Sequence, residues 1–267
     1  MAFLPSETTL SSEVVFESAV SASDDVFALR FFPVFDIQRH IAVALFCRPM
    51  VDGLGTEAVN GHEAFRAVSP QQLVEIDCAI LEEAVTLGER LGRAGIAVVV
   101  GASLSFATLS DPRARHIYRD ALRAVTGRER TPPLIKIEDI PERTGANRIG
   151  ELVQCLKPLT PRVWVHLPGS HLPLAAPLHA RGFVLSMPPM LPLHGMEIEA
   201  RWLARQGVAH GVSACMDRVS TAAELDAVRT GGVRFAAGPA LRRRALEPRA
   251  TLEEIRETLY ATDGAVQ

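Results

Sequence analysis

The chain alternates short apolar runs with longer stretches of helical periodicity. Six short apolar runs lie at residues 96–100, 134–137, 163–165, 183–185, 208–212 and 233–236. Between them, apolar residues recur every three or four positions, which is the spacing of one helix face. The helices predicted in this way cover residues 71–91, 148–156, 193–205, 221–229 and 251–259, and another begins at Ser110-Asp111-Pro112. This order of strands and helices is typical of a βα barrel.

Two apolar runs near the start of the chain depart from the regular alternation. Residues 26–35 and 41–47 are separated only by a short polar segment, which favours two adjoining strands joined by a turn. With the six later runs, they complete the eight strands of a TIM-like (β/α)8 barrel of the α/β class. Residues 1–26 are predicted to be a flexible arm, residues 27–260 a single barrel domain and residues 261–267 a tail.

Composition and charge exclude several classes of partner. The 267 residues are 48% hydrophobic, which fits one domain with a full-sized core. A net charge of −3 predicts no clustered positive surface for a nucleic acid polymer. No apolar run approaches the roughly 20 residues needed to cross a membrane, and the first residues lack the pattern of a secretory signal. We therefore expect a cytoplasmic protein without a membrane partner.

The residues that follow the predicted strands are the candidates for chemistry, because barrels of this kind carry their active sites there. They are Ser103, Glu138, Asp139, His166, Leu167, Ser186, Cys215 and Ala237. This set forms no familiar catalytic constellation. Lys136 is one of only two lysines, and a buried lysine can lose its proton, which arginine does not. Lys136 could instead form an internal ion pair with Glu138, Asp139 or another carboxylate.

Several segments match, in the correct order, the motifs of one barrel family. Residues 44–48 read Ala-Leu-Phe-Cys-Arg, where that family has Glu-Ala-Leu-x-Arg, and Ser69-Pro70 resembles the start of its long first helix. Residues 99–105 resemble its strand ending in Asn-x-Ser, and residues 136–139 lie at its Glu-x-Thr-Glu position. On these motifs, the chain from about residue 26 to 246 resembles an EAL domain, the family of cyclic di-GMP phosphodiesterases. The resemblance implies an EAL-type barrel and bacterial signalling.

The metal ligands that the resemblance implies are replaced. EAL enzymes hold magnesium or manganese ions through carboxylates and an Asn, but here the motif Glu is Ala44, the Asn is Ser103 and the next Glu is Lys136. Other family positions are also changed, to His166, Leu167, Cys215 and Ala237. No Asp occurs between Asp139 and Asp217, so no local shift of the alignment restores the family's paired aspartates. We therefore expect a degenerate domain with no metal cofactor and no hydrolysis.

Three interpretations of function remain open at this stage. The favoured one is a catalytically inactive, EAL-like regulator or scaffold that acts through protein contacts, with a homodimer as one form of contact. A second is a non-catalytic cyclic di-GMP receptor in which Arg48 binds a phosphate, although Arg48 could equally pair with a carboxylate in the barrel wall. Because Phe32 replaces a Gln that faces the nucleotide in the family, we do not expect cyclic di-GMP to bind.

The third interpretation is a divergent barrel enzyme that uses Lys136, Glu138 and His166 for unrelated chemistry. It requires a mouth that water can reach and a Lys136 side chain without a partner.

Overall fold

The computed structural model describes residues 21–22, 25–51, 68–126, 132–167, 179–187, 191–241, 246 and 249–260. Within these ranges the strands are β1 (Ser21–Ala22), β2 (Asp25–Asp36), β3 (Ile41–Val51), β4 (Val99–Ser105), β5 (Leu134–Glu138), β6 (Val163–His166), β7 (Gly182–Ser186), β8 (Ser213–Asp217) and β9 (Phe235–Ala236). The helices are α1 (Pro70–Arg93), α2 (Phe106–Ser110), α3 (Pro112–Thr126), α4 (Ala146–Leu156), α5 (Leu193–His210), α6 (Ala222–Thr230) and α7 (Leu252–Tyr260).

Strands β2 to β9 form a closed eight-stranded barrel. They pair in chain order, and β2 also pairs with β9. Strands β3 to β9 run parallel to one another, whereas β2 is antiparallel to both of its barrel neighbours. The four-residue turn after Asp36 suffices for this hairpin, because antiparallel strands need no crossover helix. The predicted TIM-like barrel with irregular first strands is confirmed.

Helix α1 shows why the predicted helices form where they do. The Ser69 hydroxyl caps its start by accepting a hydrogen bond from the Gln72 backbone N–H. In return, the Ser69 backbone N–H donates to Gln72 Oε1. Pro70 occupies the first helical position, where its missing N–H costs nothing. Leucines and isoleucines at helical spacing bury one face of α1 in the core between strands and helices. The sequence pattern therefore predicts this helix well.

A second apolar cluster fills the inside of the barrel. We call it the interior apolar cluster, and its buried members are Val34, Ala44, Phe46, Leu134, Trp164, Val184, Cys215 and Ala237. The ring centroids of Phe46 and Trp164 lie 5.6 Å apart. Glycines make room for both rings, because a Cβ at Gly101 would lie 2.7 Å from Phe46 and one at Gly182 would lie 2.5 Å from Trp164. The barrel interior is thus packed with side chains.

The strand predicted at residues 208–212 is wrong. Helix α5 continues to His210, and Val208 is 86% exposed on its surface. The helix ends at Gly211, which adopts the left-handed conformation with φ 64° that commonly follows a last helical turn. A short apolar run does not by itself distinguish a strand from the end of a helix. Strand β8 begins only at Ser213, and its carboxyl end is therefore at Asp217.

Parts of the predicted domain limits lie outside the described residues. This holds for residues 1–20 and 23–24 of the predicted arm and for the tail at 261–267. In the described part of the chain, no helix combines the length and the apolar character needed to span a membrane.

Candidate functional site

Four charged side chains meet inside the barrel near the carboxyl ends of the parallel strands, which we call its upper end. Arg48 lies on β3, Lys136 and Glu138 on β5, and Asp217 on β8. Arg48 donates to Glu138 Oε1 from Nε at 3.0 Å and from Nη2 at 2.6 Å, and Nη2 also donates to Asp217 Oδ2 at 2.6 Å. Lys136 Nζ lies 2.6 Å from Glu138 Oε1. We call these four buried residues the ion-pair cluster.

Strand alternation brings the charged groups of the ion-pair cluster together. Successive side chains of a strand point to opposite faces, so Lys136 and Glu138, two residues apart, share the inner face of β5. Asp217 shares the inner face of β8 with Cys215 in the same way. Of the alternatives that the sequence left open, the structure contains the ion pair of Lys136 with Glu138 and the pairing of Arg48 with carboxylates.

The charges of the ion-pair cluster balance, and each one depends on the others. Burial would lower the pKa of the Arg48 guanidinium, but Asp217 and Glu138 raise it above its ordinary value. Burial would raise the pKa of Asp217, but Arg48 and Lys136 hold it well below its usual range. Burial, together with nearby Arg48, lowers the pKa of Lys136 despite the opposing effect of the two carboxylates. Removing one member therefore leaves an uncompensated buried charge.

His166 lies next to the ion-pair cluster as a neutral side chain. Burial lowers the pKa of its imidazole to about 4, so the ring carries no charge at neutral pH. Its Nε2 lies 2.9 Å from Ser186 Oγ on the neighbouring strand β7. Leu167, the next residue, is buried in the apolar core. The structure thus gives His166 a hydrogen-bonded place in a packed interior.

Of the remaining candidate residues, most lie in the barrel interior and one lies at the surface. Ala44, Cys215 and Ala237 belong to the interior apolar cluster, and burial raises the pKa of the Cys215 thiol, which stays protonated. Ser103 lies within β4 opposite Lys136, and its buried hydroxyl has no hydrogen-bond partner among the described groups. Asp139 is exposed after β5, with φ 56°.

The described side chains at the upper end do not fit a magnesium or manganese ion. Such ions need several oxygen ligands, whereas the carboxylates of Glu138 and Asp217 are already bound to cationic side chains. The ion-pair and interior apolar clusters enclose a cavity of about 10 Å³, at the lower limit for one water molecule. Among the described residues, no group of three or more His, Cys, Asp or Glu side chains could hold a metal.

Asp217 is the site residue that sequence reasoning missed. The misplaced strand put Cys215 at the strand end, whereas Cys215 lies within β8 and Asp217 closes it. Two features of the sequence could have located Asp217. Glycine commonly ends helices, so Gly211 indicates that the strand starts after it. In a strand that starts there, Ser213, Cys215 and Asp217 are two residues apart and share one face.

Comparison with solved structures finds several EAL domains with the same arrangement of strands and helices. The EAL domain of Xanthomonas citri FimX, solved in complex with c-diGMP, has a TM-score of 0.59 and 17% identity, covering 79% of this chain and 85% of that chain. The PaMucR phosphodiesterase, a c-di-GMP complex, has a TM-score of 0.61 and 12% identity, covering 83% of this chain and 92% of that chain. This chain has an EAL-type barrel fold.

The EAL enzyme Bd1971, in its cAMP- and cyclic-di-GMP-bound form, gives a TM-score of 0.61 at 10% identity over 83% of this chain. The present chain spans only 62% of the length of that protein. No protein-family model matches the sequence, and no curated protein matches it.

The comparison with solved structures corrects the expectation that cyclic di-GMP does not bind. It rested on the changed polar residues alone, whereas matching EAL structures, FimX and PaMucR among them, are complexes with that dinucleotide.

Proposed function

We propose that this protein is a catalytically inactive EAL-type regulator in cyclic di-GMP signalling, acting by binding and not by hydrolysis. The observation that carries the proposal is the Lys136 ammonium, which lies 2.6 Å from Glu138 Oε1 at a position where the resemblance implies a metal-ligating Glu. An ammonium supplies the positive charge of a metal ion but not its Lewis acidity. It therefore cannot generate the hydroxide that attacks a phosphodiester.

In the part of the chain that the structure describes, the other polar groups at the upper end offer no substitute for the metal. Glu138 and Asp217 each accept hydrogen bonds from the Arg48 guanidinium, which stabilises their ionised form and makes both carboxylates weaker bases. A pKa of about 4 makes His166 a weak base at neutral pH. These contacts also weaken the hypothesis of a divergent enzyme, because Lys136 is paired and buried.

A cyclic di-GMP receptor is the first mode of action to test. The observation that favours it is that similar EAL folds are found in complex with cyclic di-GMP. Regulation through protein contacts, including a homodimer, is the alternative mode. We assign either activity to the bacterial cytoplasm as part of the same proposal.

Calorimetric titration with cyclic di-GMP, with and without magnesium, tests this proposal. A receptor that uses no metal gives the same Kd under both conditions. Absence of binding under both conditions leaves protein contacts as the mode of action. Binding that requires magnesium and is followed by release of a linear dinucleotide contradicts the proposal.

A further inference from the structure

The lower end of the barrel, where the parallel strands begin, contains a large cavity. Its volume is about 980 Å³, within the range of small-molecule sites. Its apolar lining includes side chains from inside the barrel, namely Val99, Leu134, Trp164 and Phe235. The rings of Trp164 and Phe235 lie 6.5 Å apart between centroids. This cavity, which we call the lower mouth, therefore offers an aromatic and aliphatic surface to a ligand.

Arginines line the lower mouth. Arg162, Arg181 and Arg234 directly precede strands β6, β7 and β9, and Arg39 lies in the turn between β2 and β3. The one described acidic residue in the lining is Asp36. Four arginines against one aspartate give a local excess of three positive charges, although the whole chain has a net charge of −3. The lower mouth is therefore a cationic site in an acidic protein.

Two of these arginines are available for a ligand. Arg234 donates twice to Asp36 Oδ2, at 2.8 and 2.7 Å. Arg162 and Arg181 form no ion pair with any described carboxylate. They precede neighbouring strands, and the Arg181 backbone N–H donates to the Val163 carbonyl at 2.6 Å. Both side chains line the lower mouth, and two guanidinium groups in one cavity can bind one phosphate through several charge-assisted hydrogen bonds.

We propose that the lower mouth binds a small organic phosphate that carries a flat ring. The phosphate lies on Arg162 and Arg181, and the ring lies against Trp164 and Phe235. The donors of an arginine guanidinium match the geometry of phosphate oxygens. The Trp164 and Phe235 rings, which we call the aromatic floor, favour contact with a planar apolar group. This site is at the opposite end of the barrel from the ion-pair cluster, so it does not depend on the function proposed for the upper end.

Calorimetric titration with AMP tests this site, with adenosine and inorganic phosphate as half-probes. The unmodified protein binds AMP at least tenfold more tightly than either half-probe, because only AMP uses both the arginines and the aromatic floor. The double variant Arg162→Gln/Arg181→Gln loses at least tenfold in AMP affinity. The matched control is Arg113→Gln/Arg256→Gln, which removes the same charge from exposed helix positions outside the lower mouth.

Failure of the unmodified protein to bind AMP at millimolar concentration overturns the proposal. Equal AMP affinity in the two double variants also overturns it, because Arg162 and Arg181 then contribute no more to AMP binding than two surface arginines do. Circular dichroism melting of each variant shows that the fold is retained, since the substituted side chains are exposed or half-buried.

Discussion

Lys136 is the residue on which the charge balance of the upper barrel depends. Its ammonium pairs with Glu138 and lies 4.7 Å from the centroid of the Phe46 ring. Without it, the ion-pair cluster would hold two carboxylates and only the Arg48 guanidinium. A buried excess charge of this kind is costly, because the protein interior solvates it poorly.

Replacing Lys136 by Met therefore lowers the free energy of unfolding by about 3–5 kcal/mol, the usual cost of breaking a buried pair. Denaturant unfolding at neutral pH measures this change. Lys157 is the matched control, because it is exposed at the end of α4 and its replacement by Met removes the same charge. Equal losses in the two variants would show that the buried pair contributes nothing specific.

His166 makes the stability depend on pH. Burial lowers the pKa of His166 to about 4 from its ordinary 6.5, so between these values the unfolded chain binds a proton that the folded protein does not. The free energy of unfolding therefore falls as the pH falls, by about 2 kcal/mol between pH 7 and 5 from this residue alone.

The measurement is urea unfolding at several pH values between 7 and 5. The variant His166→Gln loses this part of the pH dependence. The control is replacement by Gln of His116, an exposed histidine on α3, which measures the effect of removing an imidazole from the surface. A His166→Gln variant with the full pH dependence of the unmodified protein would refute this assignment.

At the scale of elements, the sequence predicts strands and helices well where turn and capping residues mark their limits. Ser69-Pro70 marks the start of α1 in this way. The prediction fails at β8, where the apolar run crosses the end of a helix. The pairing of Arg48 with Asp217 joins residues 169 positions apart. Such a contact depends on strand register around the whole barrel, which local patterns do not specify.

Gly211 at the end of α5 offers a test of how that element ends. Its φ of 64° disfavours any residue with a Cβ, so Gly211→Ala costs about 1 kcal/mol of stability. Gly92 in the last turn of α1 is the contrasting control, because a Cβ there meets no atom within 4 Å and φ is not positive. Gly92→Ala should stabilise by about 0.5–1 kcal/mol. Thermal unfolding measures both, and a stabilised Gly211→Ala variant would contradict the left-handed helix end.

At the scale of the whole molecule, the two ends of the barrel differ in charge and in space. The upper end holds a balanced ion-pair cluster and a cavity of about 10 Å³. The lower mouth holds an excess of arginine around about 980 Å³. Among the described residues, side chains therefore fill the barrel interior near the strand ends, where TIM barrels usually perform chemistry. The proposed loss of hydrolysis rests on this filling and on the position of Lys136.

The most direct test of this account is a product assay for cyclic di-GMP hydrolysis with magnesium and with manganese, using the PaMucR phosphodiesterase as the positive control. We expect no linear dinucleotide or mononucleotide product from this protein with either metal, under conditions in which the control turns over. Metal-dependent product formation would contradict the central claim that the Lys136 ion pair has replaced the catalytic metal centre.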